Sequence, residues 1–174
     1  MTELPGSGRA RAAAGTVFAI VVGLTTTGCG VYSVEGGVPS HVRTVGVEFF
    51  ENSTTEAGVE ERVSRAISDQ LVTRSQVRYA PFSGADAVVR GRVARVSEEP
   101  LTFSGTQVSR YRVTVLVDAS VWDRVRRRNL WEREGIQGLG QYDATAGVAA
   151  RDAAYAAAIQ EVARQVVDGF LSGW

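Results

Sequence analysis

Residues Tyr111–Trp122 alternate between apolar and polar side chains, and this pattern limits the possible folds more than any other feature of the chain. Every odd-numbered position from Tyr111 to Val121 is apolar or aromatic, whereas most even-numbered positions are polar, with Leu116 and Trp122 as exceptions. Successive side chains of a strand point to opposite faces, so the pattern predicts a strand with one buried face. Other elements must then cover one side of a sheet.

Four further segments have the character of strands. Residues 43–50 alternate in the same way, and residues 77–80, 87–96 and 128–139 are the others. Within 87–96 the valines change sides at Gly91, which predicts a bulge that reverses the facing of the strand. The connections between the last three strands are short and favour antiparallel neighbours, so the middle of the chain is predicted to be a meander.

Two segments have helical periodicity. Residues 56–74 carry one apolar stripe, and the spacing of Ser53 and Glu56 predicts a capping box at the start of this helix. Residues 147–170 carry a second stripe that ends at Phe170. The predicted fold is a two-layer α/β (α+β) sandwich with a mixed, largely antiparallel sheet of four to five strands and two helices packed on one face.

The chain has one cysteine, Cys29, which follows an apolar run of about 13 residues that is too short to span a bilayer. Residues 1–28 have the features of a secretory signal. The small residues before Cys29 resemble a lipobox, although Thr26 stands where a large aliphatic residue is usual. We expect diacylglycerol and an N-acyl chain on Cys29. The alternative is an ordinary signal peptidase cut nearby that leaves a free thiol.

The expected organisation is therefore a signal peptide (1–28), a lipidated tether (29–42) and a single α/β domain (43–174). Gly30 follows the cysteine in place of an Asp that would suggest retention at the inner membrane. The expected location is the periplasmic side of the outer membrane of a Gram-negative cell, with the protein held by its lipid.

Composition argues against several classes of function. The formal net charge is zero, which gives no reason to expect nucleic acid as a partner. His41 is the only histidine, so the sequence lacks the side chains needed for a metal site or for a nucleophile activated by a histidine base. The sequence also has no phosphate-binding loop, dinucleotide glycine pattern or hydrolase elbow. We therefore expect a protein that is not an enzyme and has no metal or cofactor apart from the acyl chains.

Several segments, taken in order, resemble the LptE family of lipopolysaccharide-assembly lipoproteins. The segments that carry the resemblance are Cys29–Tyr32, Thr44–Glu56 leading into a helix, Ala85–Gly91, Tyr111–Val115, the charged hairpin after it, Asn129–Glu132 and the alanine-rich closing helix. The resemblance implies a subunit that plugs the outer-membrane β-barrel LptD, assists its assembly and contacts lipopolysaccharide (LPS) during delivery to the cell surface. The alternative is a lipid-anchored regulator of a periplasmic enzyme such as a peptidoglycan synthase, which would be expected to have a longer linker.

Clusters of arginine are the candidate contacts for LPS or another anion. Arg124, Arg126, Arg127 and Arg128 lie in the predicted hairpin loop, where guanidinium groups suit phosphates. The loop could equally be a solvated tip or meet acidic residues of a partner.

A second cluster is Arg90 and Arg92, which share a strand face and could form a basic strip with Arg110 and Arg112, or pair with Glu132 and Glu134. The residues expected to be packed rather than functional are Trp122, Trp131, Phe170, Leu171 and Trp174.

Overall fold

The computed structural model describes residues 38–74 and 76–172. The predicted signal peptide, Cys29, most of the tether and Trp174 lie outside the described residues. The described residues all belong to one compact unit, Glu35–Trp174. None of the helices described is long and apolar enough to cross a bilayer.

The described residues form one mixed sheet and two helices. The strands are β1 (Thr44–Val47), β2 (Glu51–Asn52), β3 (Arg78–Tyr79), β4 (Ala87–Ser104), β5 (Gln107–Asp123) and β6 (Arg128–Asp143), and the helices are α1 (Val59–Val72) and α2 (Gly147–Ser172). The strand order is β3-β1-β4-β5-β6, and β2 also pairs with β4. The first three strands form only parallel pairs, whereas β4, β5 and β6 are antiparallel. The predicted fold class and the predicted meander are both confirmed.

The core lies between the helices and one face of the sheet. The odd-numbered residues of β5, such as Val113, Val115 and Val117, are fully buried there, together with Ile67 of α1 and Val162 of α2. The even-numbered residues of β5 lie on the opposite face and are only partly buried. We call this opposite side the open face.

Helix α2 lies unusually close to β6, which forms one edge of the sheet. A side chain at Gly138 or Gly140 would overlap the carbonyl oxygen of Ala158 or Ala154, so only glycine allows the helix backbone to approach the strand. The side chain of Gln165 donates a hydrogen bond of 2.9 Å to the carbonyl oxygen of Gln137. These contacts fix α2 along the edge strand.

The start of α1 differs from the predicted capping box. The helix follows Gly58, which has φ 76° and provides no side-chain cap. The polar residues upstream form a local turn instead, in which the N–H of Thr54 donates to Asn52 Oδ1 and the N–H of Glu56 donates to Thr54 Oγ1. The capping prediction is wrong because the helix begins at Val59, so Ser53 and Glu56 both lie before its first turn.

The role predicted for Gly91 is also wrong. Strand β4 is irregular between Val93 and Arg95 and again between Pro100 and Phe103, whereas Gly91 makes room for the Phe50 ring, which a Cβ would contact at 2.7 Å. Strand β4 continues to Ser104 rather than ending at residue 96, because residues 97–104 pair with the start of β5. Few of its residues there are buried, so the sequence has no clear apolar alternation.

Replacing Gly140 with Ala should lower the free energy of unfolding by about 1–3 kcal/mol, because the new methyl group overlaps the Ala154 carbonyl and forces α2 away from β6. Gly84→Ala is the matched control, since a Cβ at position 84 has no atom within 4 Å. Urea unfolding of both variants measures the effect. Equal stability of the two would contradict the close contact described for α2.

Candidate functional site: the arginine turn and the open face

The predicted hairpin loop connects β5 and β6, and we call its residues 124–128 the arginine turn. Asp123, the last residue of β5, holds its backbone: Oδ1 accepts hydrogen bonds of 2.9 Å from the N–H groups of Val125 and Arg126. Arg127 has φ 55°, the left-handed conformation that closes the turn. The turn is thus shaped by its backbone, and its long side chains do not take part in closing it.

Asp123 also connects the turn to the beginning of the described chain. Its side chain has no exposed surface, and Oδ2 lies 2.7 Å from His41 Nε2. Burial tends to raise the pKa of Asp123, but hydrogen bonds from Arg126, His41 and Val125 outweigh it and hold the pKa below its usual value. The carboxylate therefore stays charged and keeps His41 beside the arginine turn.

The four arginines of the turn differ in their availability. Arg124 is committed, because its Nη1 donates to the carbonyl oxygens of Phe82 and Ser83 at 2.7 and 2.8 Å. Arg126, Arg127 and Arg128 are exposed, and their guanidinium groups have no partner within the part of the chain that is described. Three cations thus point into solvent from a rigid turn.

The second predicted cluster lies on the open face, but its arginines are engaged with the sheet itself. Arg92 forms an ion pair of 3.0 Å with Asp118. Arg90 stacks over Trp122 at 4.7 Å and lies within 3.5 Å of Ser120. The predicted pairing with Glu132 and Glu134 is wrong, since the sheet provides other partners. Trp122 is therefore not a core residue as predicted, whereas Trp131 does pack against the core.

The predicted basic strip does not form. Arg112 lies opposite Glu99 in the β4–β5 ladder, whereas Arg92 lies opposite Asp118, six residues away along β5. Arg110 forms its own ion pair with Asp143 at 3.4 Å. The register therefore separates the two pairs of arginines and places acidic residues beside each pair.

A shallow cleft of about 540 Å³ lies on the open face around Arg90 and Arg92. Its charged lining residues are Glu48, Glu51, Asp118, Glu132, Glu134, Arg90, Arg92 and Arg133. Five carboxylates against three guanidinium groups do not favour an anion. The arginine turn is therefore the better candidate for contact with phosphate.

A third polar group was not anticipated from the sequence. Glu98 accepts hydrogen bonds from the hydroxyl group of Tyr142 and from Arg151 Nε, the latter at 2.8 Å, and the rings of Tyr142 and Tyr111 stack with centroids 5.4 Å apart. Burial and the neighbouring carboxylate raise the pKa of Tyr142 to about 12. These residues lie far apart in the chain, so no local pattern indicates them. They connect β4, β6 and α2 at the end of the sheet remote from the arginine turn.

Among the described residues, none of these three groups has the side chains needed to bind a metal ion. The described residues contain no set of three His, Cys, Asp or Glu side chains that could hold a metal ion. His41 is paired with Asp123, which leaves the exposed guanidinium groups as the chemically distinctive feature. Such groups bind anions non-covalently.

Comparison with known families gives a match over most of the described chain. A family model described as LptE, lipopolysaccharide-assembly, matches residues 42–171. No curated protein matches the chain by sequence. The resemblance noted in the sequence is thus confirmed by a match that covers most of the described residues.

Solved structures share the fold at low sequence identity. Protein XCC0632 from Xanthomonas campestris superposes with a TM-score of 0.55 at 13% identity, over 78% of this chain and 90% of that chain. Hypothetical protein CT253 from Chlamydia trachomatis gives 0.52 at 10% identity, over 76% and 99%. The PelC dodecamer from Paraburkholderia phytofirmans gives 0.50 at 16% identity, over 79% and 94%. At such identities the likeness establishes a common fold and nothing more.

Asp123 should make the protein less stable in acid. A carboxyl group whose pKa is lower in the folded state stabilises the fold above its unfolded pKa, near 4, and that contribution is lost as the pH falls through the folded value. Asp123→Asn should cost about 1–3 kcal/mol at neutral pH and flatten the loss of stability below pH 4. Urea unfolding from pH 7 to pH 3 tests this. Asp152→Asn, at an exposed position, is the control, and identical pH profiles for the two variants would refute the role of Asp123.

Proposed function

Because this chain belongs to the LptE family of lipopolysaccharide-assembly proteins, we propose that it is a lipid-anchored subunit of the outer-membrane machinery that exports LPS. In this role it occupies the lumen of an LptD-type β-barrel, assists assembly of that barrel and contacts LPS on its way to the surface. The family match over residues 42–171 is the observation that carries the proposal. The family works by non-covalent binding, so no catalytic step is involved.

The charge distribution of the open face suits a plug within a barrel. The lumen of an outer-membrane barrel is polar, so an occupant must present polar groups without leaving charges unpaired. On the open face Arg92 is paired with Asp118, and Asn129 donates to Glu132 at 2.8 Å. These pairs satisfy part of the charge of the open face, and the remaining carboxylates of the cleft, Glu48, Glu51 and Glu134, can form polar contacts with the wall of the lumen.

Membrane attachment is proposed to come from acylation of Cys29. Two or more acyl chains give stable attachment without a spanning helix. The first described residue, Val38, is nine residues beyond Cys29, a reach of about 30 Å when fully extended. This short connection favours a partner in the same membrane over a distant periplasmic enzyme, which was the alternative.

The arginine turn is the proposed contact for LPS. Phosphate groups of lipid A and of the inner core match the bidentate geometry of guanidinium groups. Arg126, Arg127 and Arg128 are free to make such contacts, whereas Arg124, Arg90 and Arg92 serve the fold. The proposal for LPS contact therefore narrows from six arginines to three.

The partner can be tested by affinity purification. The tagged protein, extracted from membranes in mild detergent, should co-purify with an LptD-type barrel, and its depletion should reduce the amount of folded barrel. Mass spectrometry identifies the partner, and heat-modifiable gel mobility reports barrel folding. A tagged unrelated outer-membrane lipoprotein is the control. Isolation of a periplasmic enzyme with no barrel would support the alternative role.

The LPS contact can be tested by substitution. Arg126→Ser, Arg127→Ser and Arg128→Ser together should reduce binding of purified LPS at least tenfold, because each removed guanidinium group loses a charge-assisted hydrogen bond to phosphate. The unfolding midpoint should stay unchanged, since these side chains have no partner in the described fold. Arg62→Ser, Arg65→Ser and Arg164→Ser on the helices remove the same charge as a control. Unaltered LPS binding in the turn variant would show that the arginine turn is a solvated loop tip and does not contact LPS.

A further inference from the structure

The arginine turn lies at the end of the molecule where the N-terminal chain enters. The chain makes a turn in which the N–H of Val42 donates to the carbonyl of Pro39 at 2.8 Å, and His41 then contacts Asp123. Asp123 holds both His41 and the backbone of the arginine turn, so the two are fixed to one buried carboxylate. An anchor at Cys29 is thereby connected to the cationic end of the domain.

Exposed apolar side chains lie beside the free cations. Val125 is 61% exposed within the turn itself, and Phe82 is 52% exposed in the neighbouring loop, which Arg124 ties to the turn. Bilayer surfaces present phosphates above an apolar layer, and peripheral proteins bind them with basic groups next to apolar side chains. The end of the molecule near the turn has this composition.

The opposite end of the sheet has a different character. The hairpin between β4 and β5 turns at Gly105, and residues 100–109 contain no charged side chain although Phe103 is 62% exposed. The cations nearest to this end, Arg110 and Arg151, are ion-paired with Asp143 and Glu98, so this end attracts an anionic surface less than the arginine turn does. Within the described residues, the exposed and unpaired arginines of the turn thus lie at the end at which the N-terminal chain enters.

We propose that the arginine turn, together with Phe82 and Val125, docks on the phospholipid head groups of the leaflet that holds the anchor. This proposal rests on the lipid anchor of the proposed function and adds a second contact with the same membrane. The short tether keeps the turn at high effective concentration near that leaflet. Each arginine close to an anionic surface strengthens binding roughly fivefold, so three contribute about a hundredfold.

Vesicle binding without the acyl chains isolates this contact. The mature chain with Cys29→Ser, exported behind a signal that is not lipidated, is mixed with phosphatidylcholine vesicles that either contain or lack phosphatidylglycerol. Co-sedimentation should show binding only where phosphatidylglycerol is present. Arg126→Ser, Arg127→Ser and Arg128→Ser together should reduce it by about a hundredfold. The control substitutions Arg62→Ser, Arg65→Ser and Arg164→Ser should have a far smaller effect.

The double variant Phe82→Ser with Val125→Ser should also weaken vesicle binding. Its effect should be larger at high salt than at low salt, because salt screens the electrostatic attraction and leaves the apolar contact. Binding that is equal with and without phosphatidylglycerol, or equal losses in the turn and control variants, would overturn the inference. The assay contains neither LPS nor a barrel. A turn variant that loses LPS but keeps vesicle binding therefore overturns only this inference, and failure to find a barrel partner bears only on the proposed function.

Discussion

A buried carboxylate at the end of β5 organises the part of the molecule that matters most for its proposed role. Asp123 is removed from water, so its charge requires hydrogen bonds, and it obtains them from His41, Val125 and Arg126. Those bonds shape the arginine turn through its backbone. Among the described residues, the guanidinium groups of Arg126, Arg127 and Arg128 have no partner and can contact a molecule outside the fold.

The distribution of paired and unpaired charge distinguishes two surfaces. On the open face, Arg90 is engaged by Trp122 and Ser120 and Arg92 by Asp118, whereas Arg112 Nε is buried without a hydrogen-bond partner. At the turn, three cations are unpaired within the described residues. A polar face suits enclosure within a polar lumen, and an unpaired cluster suits a phosphate-bearing partner. The proposed plug and the proposed LPS contact would thus use different parts of one small domain.

Much of the fold can be predicted from the periodicity of apolar residues, because an element buried on one face has apolar side chains at regular intervals in the sequence. The alternation in β5 and the apolar stripes of α1 and α2 gave the layers and the meander. The extension of β4 to Ser104 could not be predicted in this way, since its later residues are largely exposed and show no apolar alternation.

For the candidate site, the sequence located the arginine turn but could not separate Arg124 from its neighbours. That distinction depends on the carbonyl groups of Phe82 and Ser83, which are about forty residues away in the chain. The Glu98 cluster was missed for the same reason.

The position of β6 at the border of the sheet has a consequence for a chain that has not met a partner. Between Gly135 and Tyr142 no side chain is charged, and within the described residues no strand pairs with the outer side of β6. Gln165 covers one carbonyl there, and the charged residues of β6 lie before Gly135 and at Asp143. Edge strands of this kind recruit other strands, so a free copy of the protein is exposed to self-association. A partner that covered β6 would therefore protect solubility.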